Sequence, residues 1–395
     1  MKKNKKPYDI LLIGNLASND LMYAEYLSRL GFKCRAIRRS KNGAKSARGE
    51  DISFYNKHFK ENDLTEYRNP FEFVRLARQC NLVLSFTGSL IGFLSYLWPL
   101  RRILRLPPVI NITTGSDITE LAIERSIRGY VYRRYLRFSD MNFFVAYPHS
   151  VKNILKLRLL NFVFIKWPFY FLSRDIGTAE SLSKGRGEPI YFFHPSHLDW
   201  GASDSGVARN STKGNDRFIR AFIRAVKEGL DGYCVILDRG PDRQAAKDMI
   251  KKSGVQDRFI WEKHLTREGL YEEFKKADVI VDQFDVGGLG GIAFEAMSFG
   301  KPVMMYLNEP CLRLVYPVMP PILNCYTEEE IYGQIIKCRD GNYLRVAGIG
   351  SAHWACKYGN WDDSFCFYYT LLTGDKPQDY GWLRSPDPSL FEKGK

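Results

Sequence analysis

The chain has 395 residues, 45% of them hydrophobic and 26% charged, with 23 Tyr and 26 Phe. That excludes a disordered chain and, at roughly 150–200 residues per domain, predicts two domains. Lys and Arg outnumber Asp and Glu by 58 to 44, a formal charge of +14, so anionic partners are expected: a phosphorylated substrate, an anionic membrane surface or nucleic acid. Eight cysteines occur with no CxxC pair and no His partner at zinc spacing, the pattern of reduced, buried thiols in a cytosolic protein. The basic start lacks the apolar region of a signal peptide, and no apolar run reaches about 18 residues. A cytoplasmic location, peripheral on a membrane at most, is the expectation. No RNP, zinc or helix-turn-helix pattern accompanies the charge, so nucleic acid is not expected as a partner.

In chain order, Ile10–Ile13 reads as a buried strand ending in a turn at Gly14. Leu21, Ala24, Leu27 and Leu30 then share one helix face, Gly31 ends it, and Lys33–Arg38 forms a second strand. This βαβ unit predicts a parallel sheet. Leu82–Phe86, Val109–Thr113 and Met141–Val145 continue it. A Ser-, Gly-, Lys- and Glu-rich stretch over 176–189 reads as a linker between a first domain, 1–175, and a second, 190–360. The second series runs through strand Ile190–Phe193, helix Asp216–Lys227, strand Tyr233–Leu237 and helix Arg243–Lys252. Strand Phe259–Trp261, helix Leu270–Lys276, strand Val279–Val281, helix Ile292–Phe299 and strand Pro302–Tyr306 complete it. Residues 361–395 are expected to return to the first domain. The fold class is therefore α/β, with two Rossmann-like domains in tandem.

Val279–Met297 is strand, glycine-rich turn and helix. Gly287, Gly288, Gly290 and Gly291, with Leu289 between them, let backbone N–H groups approach a ligand, and the following helix adds its positive end. A diphosphate suits such a place. Glu295, in the first turns of that helix, can accept hydrogen bonds from a ribose diol. The alternative is a turn that merely permits close helix–strand packing.

The run Glu295-Ala-Met-Ser-Phe-Gly-Lys-Pro-Val303 matches the second half of the signature of retaining, nucleotide-sugar-dependent glycosyltransferases of family 4, also called group 1. The block from Lys213 to Phe222 resembles the same family's Lys-Gly-x-x-x-Leu-Ile-x-Ala-Phe. The resemblance implies a GT-B fold, two Rossmann-like domains facing each other across a cleft, with the nucleotide sugar in the second and the acceptor in the first. It implies that Lys213 lies against the donor diphosphate beside a second cation, with His197 favoured by position and Arg209 the alternative. Arg239 and Lys263 stand in loops that line the base pocket in similar enzymes. On the acceptor side it implies Gly14, Asn15, Gly115 and Ser116. Asp117, in a Thr-Gly-Ser-Asp sequence that resembles the family's His-Gly-Ser-Asp, is a catalytic candidate with Lys213, or else a cap for the next helix.

Two positions depart from the family. Gly287 stands where the family has its first carboxylate, with Asp285 and Asp282 as possible substitutes, and Thr114 replaces the His. No DxD motif occurs, so no metal and no cofactor beyond a UDP- or GDP-linked donor are expected. The expected reaction is transfer with retention to a glycan or lipid-linked glycan in polysaccharide or glycoconjugate synthesis. A catalytically inactive, glycan-binding homologue is the alternative. Residues Ser89–Leu106 combine aromatics with Arg101, Arg102 and Arg105, which fits either an anionic membrane surface or a core helix with a basic exit.

Overall fold

The computed structural model describes residues 6–14, 23–24, 27–28, 31–39, 64–86, 100–101, 103–113, 115, 117–166, 188–201, 212–263, 265–358 and 362–374. The chain divides into two units, one of Met1–Val145, Asn153–Tyr170 and Asn360–Lys395, the other of Ala146–Lys152 and Phe171–Gly359.

In the first unit, segments of four to seven residues form strands β1 (Tyr8–Ile13), β2 (Cys34–Arg39), β3 (Leu64–Tyr67), β4 (Cys80–Phe86), β5 (Val109–Ile112), β6 (Met141–Val145) and β7 (Phe162–Ile165). They pair in parallel in the order β3-β2-β1-β4-β5-β6-β7. Parallel strands need both faces covered, which is why Ile10–Ile13 of β1 and Leu82–Leu84 of β4 are consecutive apolar residues. Alternate residues serve opposite faces. Ile10, Leu12, Leu82 and Leu84 pack with Tyr23, Leu27 and, from helix Asp362–Thr373, Phe365 and Tyr369. Leu11, Ile13, Val83 and Val109 pack with helices α1 (Pro70–Arg78) and α2 (Ile127–Phe138). Asn69 caps α1 by accepting from Glu72 N at 3.0 Å, and Ser126 caps α2 by accepting from Gly129 N at 3.0 Å. Helix α3 (Pro148–Leu157) follows β6.

The second unit has strands β8 (Ile190–His194), β9 (Gly232–Leu237), β10 (Phe259–Glu262), β11 (Val279–Val281), β12 (Val303–Met305) and β13 (Leu323–Asn324), ordered β10-β9-β8-β11-β12-β13 and all parallel. Helices α4 (Asn215–Lys227), α5 (Arg243–Ser253), α6 (Arg267–Lys276), α7 (Gly291–Ser298), α8 (Glu309–Leu312), α9 (Glu328–Lys337) and α10 (Gly341–Tyr358) complete it. One face buries Phe192, Cys234 and Ile236 against Phe218 and Phe222 of α4; the other buries Phe193, Val235 and Ile280 against Phe274, Met297 and Trp354. In this sheet the order reverses between β8 and β11, so their carboxyl ends open a crevice, the usual ligand position in such folds.

Both units are thus parallel α/β sheets of the doubly wound kind. Strands β3, β7 and β13 are additions to the sequence reading. The 176–189 linker lies almost wholly outside the described residues, as does most of the 89–106 segment. No described helix is long and apolar enough to cross a membrane.

Candidate functional site

The reversal point of the second sheet gathers charge. Where β8 ends, Ser196 Oγ donates to Asp282 Oδ1, just past β11, at 2.6 Å. Past β9, Arg239 Nη2 donates to Pro195 O at 2.6 Å. Lys213 is fastened by its main chain: its N donates to Asp199 O at 2.5 Å and its O accepts from Phe284 N at 2.7 Å. Its Nζ donates to Gln283 Oε1.

Burial depresses Lys213, with Asp282 and Asp199 pushing it back up and Arg239 lowering it further. Burial likewise depresses Arg239, opposed by Asp282. Asp282 is raised by burial, while Lys213, the Ser196 hydrogen bond and Arg239 hold it down. Two cations and one carboxylate therefore share a poorly solvated crevice. An anionic group entering there meets positive charge that water does not screen.

The glycine turn is tied to the same cluster. Gln283 Nε2 donates to Gly288 O at 2.9 Å, so one amide joins Lys213 to the turn. Gly287 has φ +69°, and a Cβ there would lie 3.0 Å from Tyr306 Cε1 and 3.1 Å from Asn308 Cβ. A Cβ at Gly288 would stand 2.8 Å from Tyr147 Cβ. The missing carboxylate at 287 thus coincides with a left-handed backbone that disfavours any side chain. Gly290 precedes α7 without a side-chain cap, leaving the first turn of the helix facing the crevice side of the sheet. Leu289 is buried in the core, Gly291 begins α7, and Glu295 is buried on it at 4% exposure. Lys301 of the Gly-Lys-Pro-Val run donates from Nζ to Lys275 O at 2.9 Å, closing the end of α6.

The two substitute carboxylates separate cleanly. Asp285 pairs with Arg217 and accepts from Thr212 Oγ1 at 2.6 Å. Asp282 faces Lys213 and Arg239 instead. Arg239, read in sequence as one loop residue among several, is the cation electrostatically coupled to Lys213. His197 is exposed, Lys263 is exposed, and Arg209 lies outside the described residues.

His194 was not singled out by sequence. It is fully buried, and Asn215 Nδ2 lies 3.1 Å from its Nε2. Asn215 Oδ1 accepts from Asp199 N at 3.1 Å, which orients the amide so that Nδ2 donates to the imidazole. Burial pushes His194 down to about 4, so it is neutral near physiological pH. Its only sequence signal was a histidine ending an otherwise apolar strand.

In the first unit, Gly14 ends β1 and is buried, while Asn15, Thr114 and Ser116 lie outside the described residues. Asp117 is buried, and its Oδ1 accepts from the N–H groups of Gly115 and Ile118, each at 3.0 Å. Its Oδ2 accepts from Tyr132 Oη at 3.1 Å. The carboxylate is engaged in organising its own turn and anchoring α2.

Residues 207–315 match the model of the family described as glycosyl transferases group 1. No curated protein matches the chain. Among solved structures, Anabaena HepE in complex with UDP-glucose is similar over 92% of this chain and 98% of its own, at 13% identity and TM-score 0.60. A glycosyltransferase from Rickettsia africae aligns over 95% and 100% of the two chains, at 14% identity and TM-score 0.61. Sucrose-phosphate synthase from Thermosynechococcus elongatus aligns over 93% and 100%, at 14% identity and TM-score 0.58. At such identities these structures establish the fold, and the matched segment runs from before Lys213 to beyond the glycine turn. The chain thus shares the GT-B fold of these structures, and its residues 207–315 are similar to group 1 glycosyl transferases.

Proposed function

We propose that the protein is a retaining glycosyltransferase that moves a sugar from a UDP- or GDP-linked donor to a glycan or lipid-linked glycan. The observation that carries this reading is the pair of half-buried cations, Lys213 and Arg239, held beside the glycine turn and the start of α7 at the reversal point of the second sheet. The diphosphate lies against Lys213, Arg239 and the N–H groups of residues 287–291, and Glu295 takes the ribose. UDP and UDP-glucose in the HepE structures support a nucleoside diphosphate as the ligand class.

In the reaction, the bond from the anomeric carbon to the diphosphate breaks as the acceptor oxygen bonds to that carbon from the same face. The acceptor proton passes to the departing phosphate. Negative charge grows on the diphosphate, where Lys213, Arg239 and the helix start stabilise it without a metal ion. Arg239 takes the second-cation role in place of His197 or Arg209, and Lys263 borders the base. Gly14, Asn15, Gly115 and Ser116 serve the acceptor, as the family resemblance implies, with Asp117 a positioning residue that shapes the turn at Gly115. The protein works in the cytoplasm, in polysaccharide or glycoconjugate synthesis, at a membrane surface where its acceptor is lipid-linked.

A second reading has one observation in its favour. Gly287, with its left-handed φ and crowded Cβ position, leaves no carboxylate where the family's first one stands, as in a glycan-binding homologue without turnover. A panel of nucleotide sugars screened by thermal shift and then by product formation separates the two. Stabilisation by one donor with turnover supports the enzyme, stabilisation without turnover supports the homologue, and no stabilisation by any donor sinks the enzyme.

A further inference from the structure

Helix α2 carries four arginines and no acidic residue. Arg133 donates to two main-chain carbonyls, Ala122 O at 3.0 Å and Glu124 O at 2.7 Å. Arg128, Arg134 and Arg137 have no carboxylate partner among the described residues; Arg134 instead lies over Phe138 at 5.1 Å and meets Tyr130 Oη at 3.4 Å. On the same outward side Ile127 is 82% exposed, Tyr130 54% and Phe138 41%. The buried side, with Val131, Tyr132, Tyr135 and Leu136, packs on the sheet. The helix is therefore apolar both inward and outward, with cations along the outward edge.

The face continues past the helix. Asp140, just beyond α2, pairs with Arg101, which sets the 100–105 turn beside it. That turn exposes Ile103 at 77% and Leu100 at 44%, next to exposed Arg105. Glu120 and Glu124 lie before the N-terminus of α2, and Asp140 is already paired, so the arginine edge stays positive. Elsewhere basic side chains are treated differently: in the second unit Arg220, Arg224, Arg258 and Lys275 each meet a carboxylate.

We propose that the outer face of α2, continued by the 100–105 turn, is a docking surface for an anionic lipid bilayer. Charge complementarity selects this occupant: unpaired guanidinium groups meet lipid phosphates, and Ile127, Tyr130 and Phe138 enter the headgroup region between them. An apolar partner would leave three arginines desolvated and unpaired, and a purely anionic polymer would leave the apolar side chains in water. The proposal deepens the lipid-linked acceptor of the proposed function and rests on that reading for its purpose, though not for its geometry.

The test is co-sedimentation of the full chain with phosphatidylcholine vesicles, with and without phosphatidylglycerol. Wild type is expected to pellet with the anionic vesicles only, and less so as salt rises. At about fivefold per basic residue, the Arg128→Glu/Arg134→Glu/Arg137→Glu variant should bind on the order of a hundredfold more weakly. Ile127→Ser/Tyr130→Ser should weaken binding with no change of charge. Lys227→Glu/Lys251→Glu/Lys252→Glu, the same charge change on exposed positions of the second unit, should bind as wild type. Equal loss in that control, equal binding to neutral vesicles, or wild-type binding by the arginine variant overturns the proposal. Donor-induced thermal shift of the arginine variant, measured without lipid, keeps the two readings apart: it reports the donor site alone. Wild type that ignores anionic vesicles overturns the surface, and a donor-induced shift in that same protein leaves the donor reading standing.

Discussion

The two units share one strand order around their central strands and handle charge in opposite ways. In the second, Arg220, Arg224 and Arg258 pair with carboxylates on the surface, and in the crevice Lys213 and Arg239 outnumber Asp282. In the first, the buried carboxylate Asp117 is consumed by Gly115, Ile118 and Tyr132, and the unbalanced charge is outside, on α2. Apolar exposure follows the same division. Phe71, Ile103, Ile127 and Leu160 of the first unit exceed 75% exposure, whereas Val346, at 58%, leads the described large hydrophobics of the second. One scaffold thus places its unsatisfied electrostatics in a crevice in one copy and on a face in the other. The first arrangement suits a small anion; the second suits an extended surface.

The largest expected effect tests the crevice. Lys213→Ala and Arg239→Ala should each lower turnover on the order of a hundred- to a thousandfold, as loss of a charge-stabilising donor does. A rise in KM with kcat unchanged would mean that the cations bind ground state and transition state alike. Next is His194, whose pKa is about 4 in the fold and 6.5 by its ordinary value. The neutral form is the one the fold favours, so this contribution is complete above the ordinary value and disappears as pH falls toward 4. It amounts to roughly 3 kcal/mol. Melting temperature followed from neutral pH down to about pH 4 should fall less steeply in His194→Gln; an unchanged slope would place acid sensitivity elsewhere.

Asp117→Ala should cost about 2 kcal/mol in urea unfolding, because two N–H groups and the Tyr132 hydroxyl lose their acceptor. If stability is untouched while turnover collapses, Asp117 is catalytic and the contrast between the units weakens. Gly287→Ala should cost about 1–2 kcal/mol through its left-handed φ. The smallest effect belongs to the paired surface: Arg224→Ala, which removes exposed bonds to Glu228 and Glu329, should leave the melting temperature near wild type.

Strands with long apolar runs were legible in sequence because burial on both faces leaves no alternation to confuse: Met141–Val145 and Val279–Val281 have the limits their residues suggested. Strand β13 has only two residues, and β3, Leu-Thr-Glu-Tyr, has polar residues at its two central positions, so neither stands out from a loop. Much of the crevice was visible as the glycine turn and Lys213. Arg239 and His194 were not weighted because their importance lies in what approaches them from other strand ends, and sequence neighbours carry no trace of that. Likewise only the fold separates Asp282 from Asp285, since Arg217 and Thr212 claim the latter across 68 and 73 positions of chain.

Lys213 is bonded through both sides of its own peptide units, to Asp199 on one flank and Phe284 on the other. It therefore acts as a rivet between the loops after β8 and β11, not as a side chain hung from a mobile segment. A cation riveted in this way stands in place before any ligand arrives, so its field needs no rearrangement to act. The Lys213 and Phe284 amides should accordingly be among the slowest in the loops to exchange with deuterium, and nucleotide should slow them little further.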